Sequence, residues 1–234
     1  MARLERRILI NYRLDPQIAA ALIPEPFRPL IVAGHAVAGI CLIRLSAIRP
    51  AGAPAVVRRP TENAAHRFAV RWDTAAGPAA GVWIPRRDTN SARVALAGGR
   101  LFPGWHHRAR IEVAEEGTRY SVAVASEDDE VTIRVTGEVS EQVPAGSVFA
   151  GLGAASRFFG CAPVGYSPRR DGTSFEGVEL SCREWNLSPL AIGAVSSSYF
   201  EDGRRFPPGS IEQDSAFLMR DLDTTWSARP PPRG

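Results

Sequence analysis

Residues 108–139 read RARIEVAEEGTRYSVAVASEDDEVTIRVTGEV, three runs in which apolar and polar residues alternate, parted by the polar turns EEG and EDDE. Alternation on a period of two sends successive side chains to opposite faces of a strand, so the stretch predicts an antiparallel meander with one wet face. The apolar face of such a sheet must be covered, and its edges must be paired or closed. The rest of the chain is therefore expected to supply more sheet.

Strand signals recur in RRILINYRL (6–14), which should be half buried, and in AVAGICLIRLSAIRP (36–50), HRFAVRWDT (66–74) and GVWIPRRDTN (81–90). They return in FEGVELSCREWNLSPLAIG (175–193) and SSSYFED (196–202). Two helices interrupt them. DPQIAAALIP opens on Asp15 as N-cap, with Pro16 at the first helical position and Pro24 as the stop. AGSVFAGLGAASRFFGCAP (145–163) is the second, with Ser147 as its cap. No repeat or linker divides the chain, so one mainly β domain is expected over 1–228. RPAGAPAVVRRP (49–60) reads as a surface loop, and RPPPRG (229–234) as a disordered tail.

Composition removes several function classes. The formal net charge is only +3, and the arginines come in scattered pairs such as Arg58-Arg59 and Arg169-Arg170, which argues against a nucleic-acid surface. Three cysteines, an odd number without C-x-x-C spacing, suggest neither a disulfide framework nor a zinc knuckle. A reducing cytoplasm fits, and no stretch has the apolar length of a membrane span or the features of a secretory leader. No cofactor is expected: Gly-x-Ser-x-Gly and phosphate-cradling Gly-Lys loops are absent, and GLGAAS opens no dinucleotide-binding unit.

Two of the four histidines are adjacent, at His106 and His107, just after a Pro-Gly-Trp turn. An imidazole titrates near neutrality and can serve as acid, base or ligand. On a regular strand, neighbouring side chains face opposite ways, so at most one points into any pocket. A metal would need a third ligand brought by folding alone, and none is expected. The plainer alternative makes both histidines hydrogen-bonded structural groups.

NYRLDPQIAAALIPEPF resembles the entry segment of acetoacetate decarboxylase, and FPGWHHRARIEV falls where that family carries an aromatic-Pro-Lys-Lys signature. TENAAHRFAVRW, GVWIPRRDTNSARVALAGGRLFPGWHH, SRFFGCAPVGYS and SPLAIGAVSSSYFED resemble more closely the YqjF-like proteins, an uncharacterised branch of the acetoacetate decarboxylase-like superfamily. The likeness runs over residues 6–225. It implies a closed or nearly closed antiparallel β-barrel with a few small flanking helices, an interior pocket for a small-molecule ligand, and a homo-oligomer.

The family's chemistry needs a lysine amine to form an imine. All 28 cationic side chains here are arginine, and His106 and His107 stand at the matching place, so no side-chain amine is available for that route. The resemblance sets Arg6 or Arg7 where the family has an arginine and Glu62 where it has a glutamate, while its second glutamate falls near Cys41. His106, His107 and Glu62 are thus the candidate acid–base residues, with Arg6, Arg7, Trp105 and Cys41 as candidate ligand contacts. Three roles stay open: an enzyme acting on a small carbonyl compound or organic acid without an imine, a non-catalytic binder, and a structural oligomer with a vestigial pocket. In the last, Cys41 is a core thiol and Trp105 a core aromatic.

Overall fold

The computed structural model describes residues 1–49, 59–98, 104–172, 174–182 and 185–232; all but the ends of the loop expected at 49–60 lie outside them. In chain order the elements are β1 (Ala2–Leu14), α1 (Pro16–Leu22), β2 (Arg28–Pro29), β3 (Ile31–Val32), β4 (His35–Ser46), β5 (Thr61–Thr74) and β6 (Gly77–Thr89). There follow α2 (Ala92–Ala97), β7 (His107–Glu116), β8 (Arg119–Ser126), β9 (Thr132–Val139), α3 (Leu152–Gly160), β10 (Val164–Pro168), β11 (Phe175–Cys182), β12 (Ser188–Ser197) and β13 (Ile211–Arg229).

The meander forms as β7, β8 and β9, paired in register from Glu116↔Arg119 and from Ala125↔Thr132. Its open edges are closed by the rest of the sheet. Hydrogen-bonded neighbours run β6, β7, β8, β9, β12, β13, β1, β4, β5 and back to β6. A second circuit leaves β13 through β11 and β10 to β6. Five strands, β13, β1, β4, β5 and β6, therefore belong to both rings. The fold is mainly β, as expected, although the short ladders that join β6 to β10 and to β7 are parallel.

A wall shared by two rings is covered on both faces. Ile8, Leu9 and Ile10 are all fully buried, so β1 is not the half-buried strand its alternation suggested. Ile8 and Ile10 join Phe68, Val122, Ile133 and Leu190 in the larger core, whereas Leu9 joins Phe217, Met219 and the α3 residues Ala155 and Phe159 in a second one. Burying an aromatic or branched aliphatic side chain contributes roughly 1.5–3 kcal/mol.

Local chemistry sets the helix ends. Asp15 caps α1 through its Oδ1, which accepts from the Gln17 and Ile18 amides, worth about 1 kcal/mol. Ser147 does not cap α3, which begins five residues later behind Gly151. Its hydroxyl accepts from the Phe149 amide and donates to Asp214, tying a turn to β13. SSSYFED is strand only to Ser197; the Phe200 and Glu201 amides then turn back to the Ser197 carbonyl, which folds Phe200 into the larger core. The six-residue α2 and the long β13 are additions to the elements expected from sequence. β13 reaches Arg229, one residue past the expected domain end, and the Pro230 carbonyl accepts from the Tyr166 hydroxyl. No helix among the described residues is long and apolar enough to cross a membrane.

Candidate functional site

Cys41, Ala65 and Arg87 stand opposite one another across β4, β5 and β6, so their side chains leave the same face of the shared wall. That face looks into a cavity of about 870 Å³ within the second ring, with walls from β4, β5, β6, β11 and β13. Ile43, Leu45, Phe175, Val178 and Trp226 make it largely apolar. Arg87, His106 and Glu176 supply polar groups. Glu176 is already engaged, accepting from the Gly104 amide at 2.6 Å and from Arg169 Nε at 2.9 Å.

Three arginines crowd the Cys41 end. Arg7 Nε donates to the Cys41 sulfur at 3.2 Å. Arg67, only 2% exposed, donates to Asn11 Oδ1 at 2.5 Å and lies over the Phe159 ring at 5.2 Å. Arg87 Nε donates to Ser167 Oγ at 2.8 Å. Arg7 Nη1, Arg67 Nε and Nη1, and Arg87 Nη2 are buried with no hydrogen-bond partner among the described residues. Burial pushes the Arg67 and Arg87 guanidinium groups down to about 10. Glu176 opposes part of the Arg87 charge, and an anion placed in the cavity would offset more of the several kcal/mol that burying a charge costs.

Two glycines make room for these side chains. A Cβ at Gly39 would sit 2.4 Å from the Ile10 carbonyl oxygen and 3.1 Å from Arg67 Nη2. Gly104, at φ +85°, would carry its Cβ 2.9 Å from Ser167 Cβ and 3.0 Å from Arg87 Nε. The glycine of the Pro-Gly-Trp turn thus lets the chain pass over Arg87 and bring His106 to the cavity.

The two histidines diverge, as alternation requires. His106 lines the cavity, and its Nδ1 lies 3.0 Å from the Gly104 carbonyl oxygen. A carbonyl only accepts, so Nδ1 carries the hydrogen and Nε2 holds the lone pair. Burial, reinforced by Arg87, pushes this imidazole down to about 3, so it is neutral at pH 7. His107 points the other way and its Nδ1 donates to Asp128 Oδ2 at 2.8 Å. Arg86 holds that Asp128 carboxyl well below the usual carboxylate range. The His107 ring stacks on Trp105 at 4.3 Å. Trp105 itself is 42% exposed and absent from the cavity wall, contrary to the ligand contact expected of it.

Glu62 and Arg6 are not brought to His106 either. Arg6, 1% exposed, donates to Glu62 at 2.5 Å and to Glu115 at 2.5 Å, with Arg44 3.6 Å from Glu62. Burial pushes the Glu62 carboxyl up against the opposing pull of Arg6 and Arg44. Arg6 bridges Glu62 to Glu115 on β7, a strand of the first ring alone, which puts the carboxylate on the other face of the wall. Of the expected residues, then, Cys41 and His106 meet at the cavity, and Arg7 bonds Cys41 from the same face of the wall without lining the cavity. Glu62, Arg6, His107 and Trp105 lie elsewhere. Arg67 and Arg87 were not foreseen. Their signal was present in phase: Ala65, Arg67 and Ala69 share one face of β5, a charge among small residues on a buried strand. No three His, Cys, Asp or Glu side chains among the described residues converge as metal ligands would.

A model of the DUF2071 family, described as an uncharacterized conserved protein, matches residues 1–218. No curated protein matches the sequence significantly. Similar solved structures include the enduracididine biosynthesis enzyme MppR complexed with pyruvate, at 13% identity over 97% of this chain and 88% of that one, with a TM-score of 0.60. An acetoacetate decarboxylase-like enzyme from Sphingomonas wittichii RW1 is 14% identical over 99% and 91% of the two chains, with a TM-score of 0.58. Acetoacetate decarboxylase from Legionella pneumophila subsp. pneumophila str. Philadelphia 1 is 13% identical over 96% and 86%, with a TM-score of 0.54. At such identities the likeness is one of fold.

Proposed function

The chain belongs to the DUF2071 family of uncharacterized conserved proteins and has an acetoacetate decarboxylase-like fold, and from that premise we propose that its cavity binds a small organic acid bearing a carbonyl group. Within the superfamily its motifs group it with the YqjF-like branch. Arg87 is the anchor for the carboxylate, and His106 Nε2 is the base that takes a proton from the carbon next to the carbonyl. No lysine imine is involved, because the chain has no lysine.

The observation that carries this reading is the buried, unpartnered Nη2 of a guanidinium that lines the cavity beside a neutral imidazole. Ligand binding would also arm the base. Arg87 is one of the groups that depress His106, so a carboxylate at Arg87 cancels part of that positive field and moves the imidazole back up. A second reading, binding without turnover, is favoured by the position of Glu62: the expected carboxylate partner of the histidine faces the other core.

Deuterium exchange at the methyl group of pyruvate, followed by NMR, tests both. Proton abstraction should be faster with the protein than without it, and His106→Gln should lower the rate about 100-fold while leaving pyruvate binding intact. Arg87→Gln should weaken binding itself. Binding without exchange would leave the binder, and no binding of any small carboxylate would overturn the proposal.

A further inference from the structure

Cys41 sits in an unusual setting for a core thiol. It is 4% exposed, yet that exposure is to the cavity. Arg7 Nε donates to its sulfur, Arg87 stands in register with it across β5, and Arg67 leaves the same face of β5 one pleat away. Gly39, two residues earlier on the same face, leaves the space in which the Arg67 guanidinium lies. Arg67 is almost wholly buried and keeps two nitrogens without partners on this side of the wall. A merely structural thiol needs none of this. Cationic side chains around a partly accessible sulfur favour its attack on electrophiles, and they also hold the anion that carries one.

We infer that Cys41 is the nucleophile of the cavity, adding to an electrophilic carbon one or two bonds from the carboxylate held at Arg87, as in a 2-oxo acid. The inference rests on the organic-acid reading above. With a 2-oxo acid, a bond forms between Sγ and the keto carbon, and the π pair of the carbonyl moves onto its oxygen. That oxygen takes up the proton the thiol gives away. The product is a thiohemiketal, formed reversibly and without change of oxidation state. The guanidinium nitrogens left unpartnered by the protein are suited to the charge that develops on the oxygen.

The other two cysteines supply the reference, since Cys161 is exposed and Cys182 half-buried and neither lines the cavity. The intact protein is treated at pH 7.5 with iodoacetate or with iodoacetamide, and labelling is followed at each cysteine by peptide mass spectrometry. Both reagents react alike: the S–C bond forms, the C–I bond breaks, iodide leaves and the thiol proton goes to water. They differ in charge. Cys41 should prefer iodoacetate by about tenfold, whereas Cys161 should not. Arg87→Gln should abolish the preference while iodoacetamide still labels Cys41, which shows that the cavity persists.

A Cys41 that resists both reagents in the wild-type protein, or shows the preference of Cys161, overturns the inference. Calorimetry with lactate, an unreactive carboxylate, separates the two failures. Lactate binding that depends on Arg87 without selective labelling sinks the nucleophile alone. Absence of both lactate binding and charge preference sinks the organic-acid reading as well.

Discussion

His66 offers a direct measure of what it costs this fold to keep an imidazole uncharged. The ring is fully buried, bonded through Nε2 to Ser197 Oγ at 3.0 Å and stacked on Tyr199 at 4.4 Å. Desolvation, with smaller contributions from Arg86 and Arg205, pushes it down to about 3. In the unfolded chain it returns to about 6.5. Between these values the unfolded chain binds a proton that the native state refuses, so the contribution is fully present above pH 6.5 and is lost progressively as pH falls toward 3. At pH 5 the unfolded chain is 1.5 units below its pKa, which at 1.36 kcal/mol per unit gives a loss of about 2 kcal/mol. Urea unfolding followed by tryptophan fluorescence at pH 7.5 and pH 5, on the wild type and on His66→Gln, isolates the term. His106 and the carboxyl groups titrate in both proteins and cancel in the difference. The wild type should lose about 2 kcal/mol more than the variant, with the same m-value. Equal losses would show that His66 accepts its proton inside the fold, and the reasoning from desolvation would be wrong.

The remaining predictions concern the wall itself. Glu62→Gln leaves the buried Arg6 without one of its two carboxylates; it should cost about 3–5 kcal/mol in chemical denaturation and leave carboxylate binding at Arg87 unchanged. Loss of binding at full occupancy of the native state would put Glu62 back in the site. Gly39→Ala must move either the Ile10 carbonyl or Arg67, so it should lower stability by about 1–3 kcal/mol and slow labelling of Cys41 by iodoacetate. An unchanged melting temperature would show that the strand can give way there.

Where alternation was strong and one-sided, as in 108–139, the sequence was enough to place strands and turns. It misled where the strand is covered on both faces: the apolar run of β1 reads the same whether one ring or two lie against it. β13 escaped notice because residues 211–229 change environment along their length, pairing with β1 from Ile211 to Thr224, with β12 near Leu218 and with β11 from Thr224 to Arg229. No single period describes such a strand. The site was half legible for a related reason. Adjacent histidines must diverge, and they do, but which one faces inward depends on Gly104 and on Arg87, a residue found only once β6 and the turn are brought together. Arg86 and Arg87 look alike in sequence. One holds Asp88, Asp128 and Glu130 on the first ring's side, and the other, bonded to Ser167, faces the cavity with its Nη2 unpartnered among the described residues.

The pairing of β1 with β13 bears on how the molecule is made as well as on what it holds. Thr224 donates to the Ala2 carbonyl across 222 residues of chain, and the strands on either side of that seam carry the cavity wall. Contacts so distant in sequence form late and slowly, because the intervening chain must be ordered before they contribute. The meander, by contrast, is local and can form early. The cavity is thus among the last features to appear, and a chain paused just short of that step would expose both edges of the wall, β1 on one side and β13 on the other.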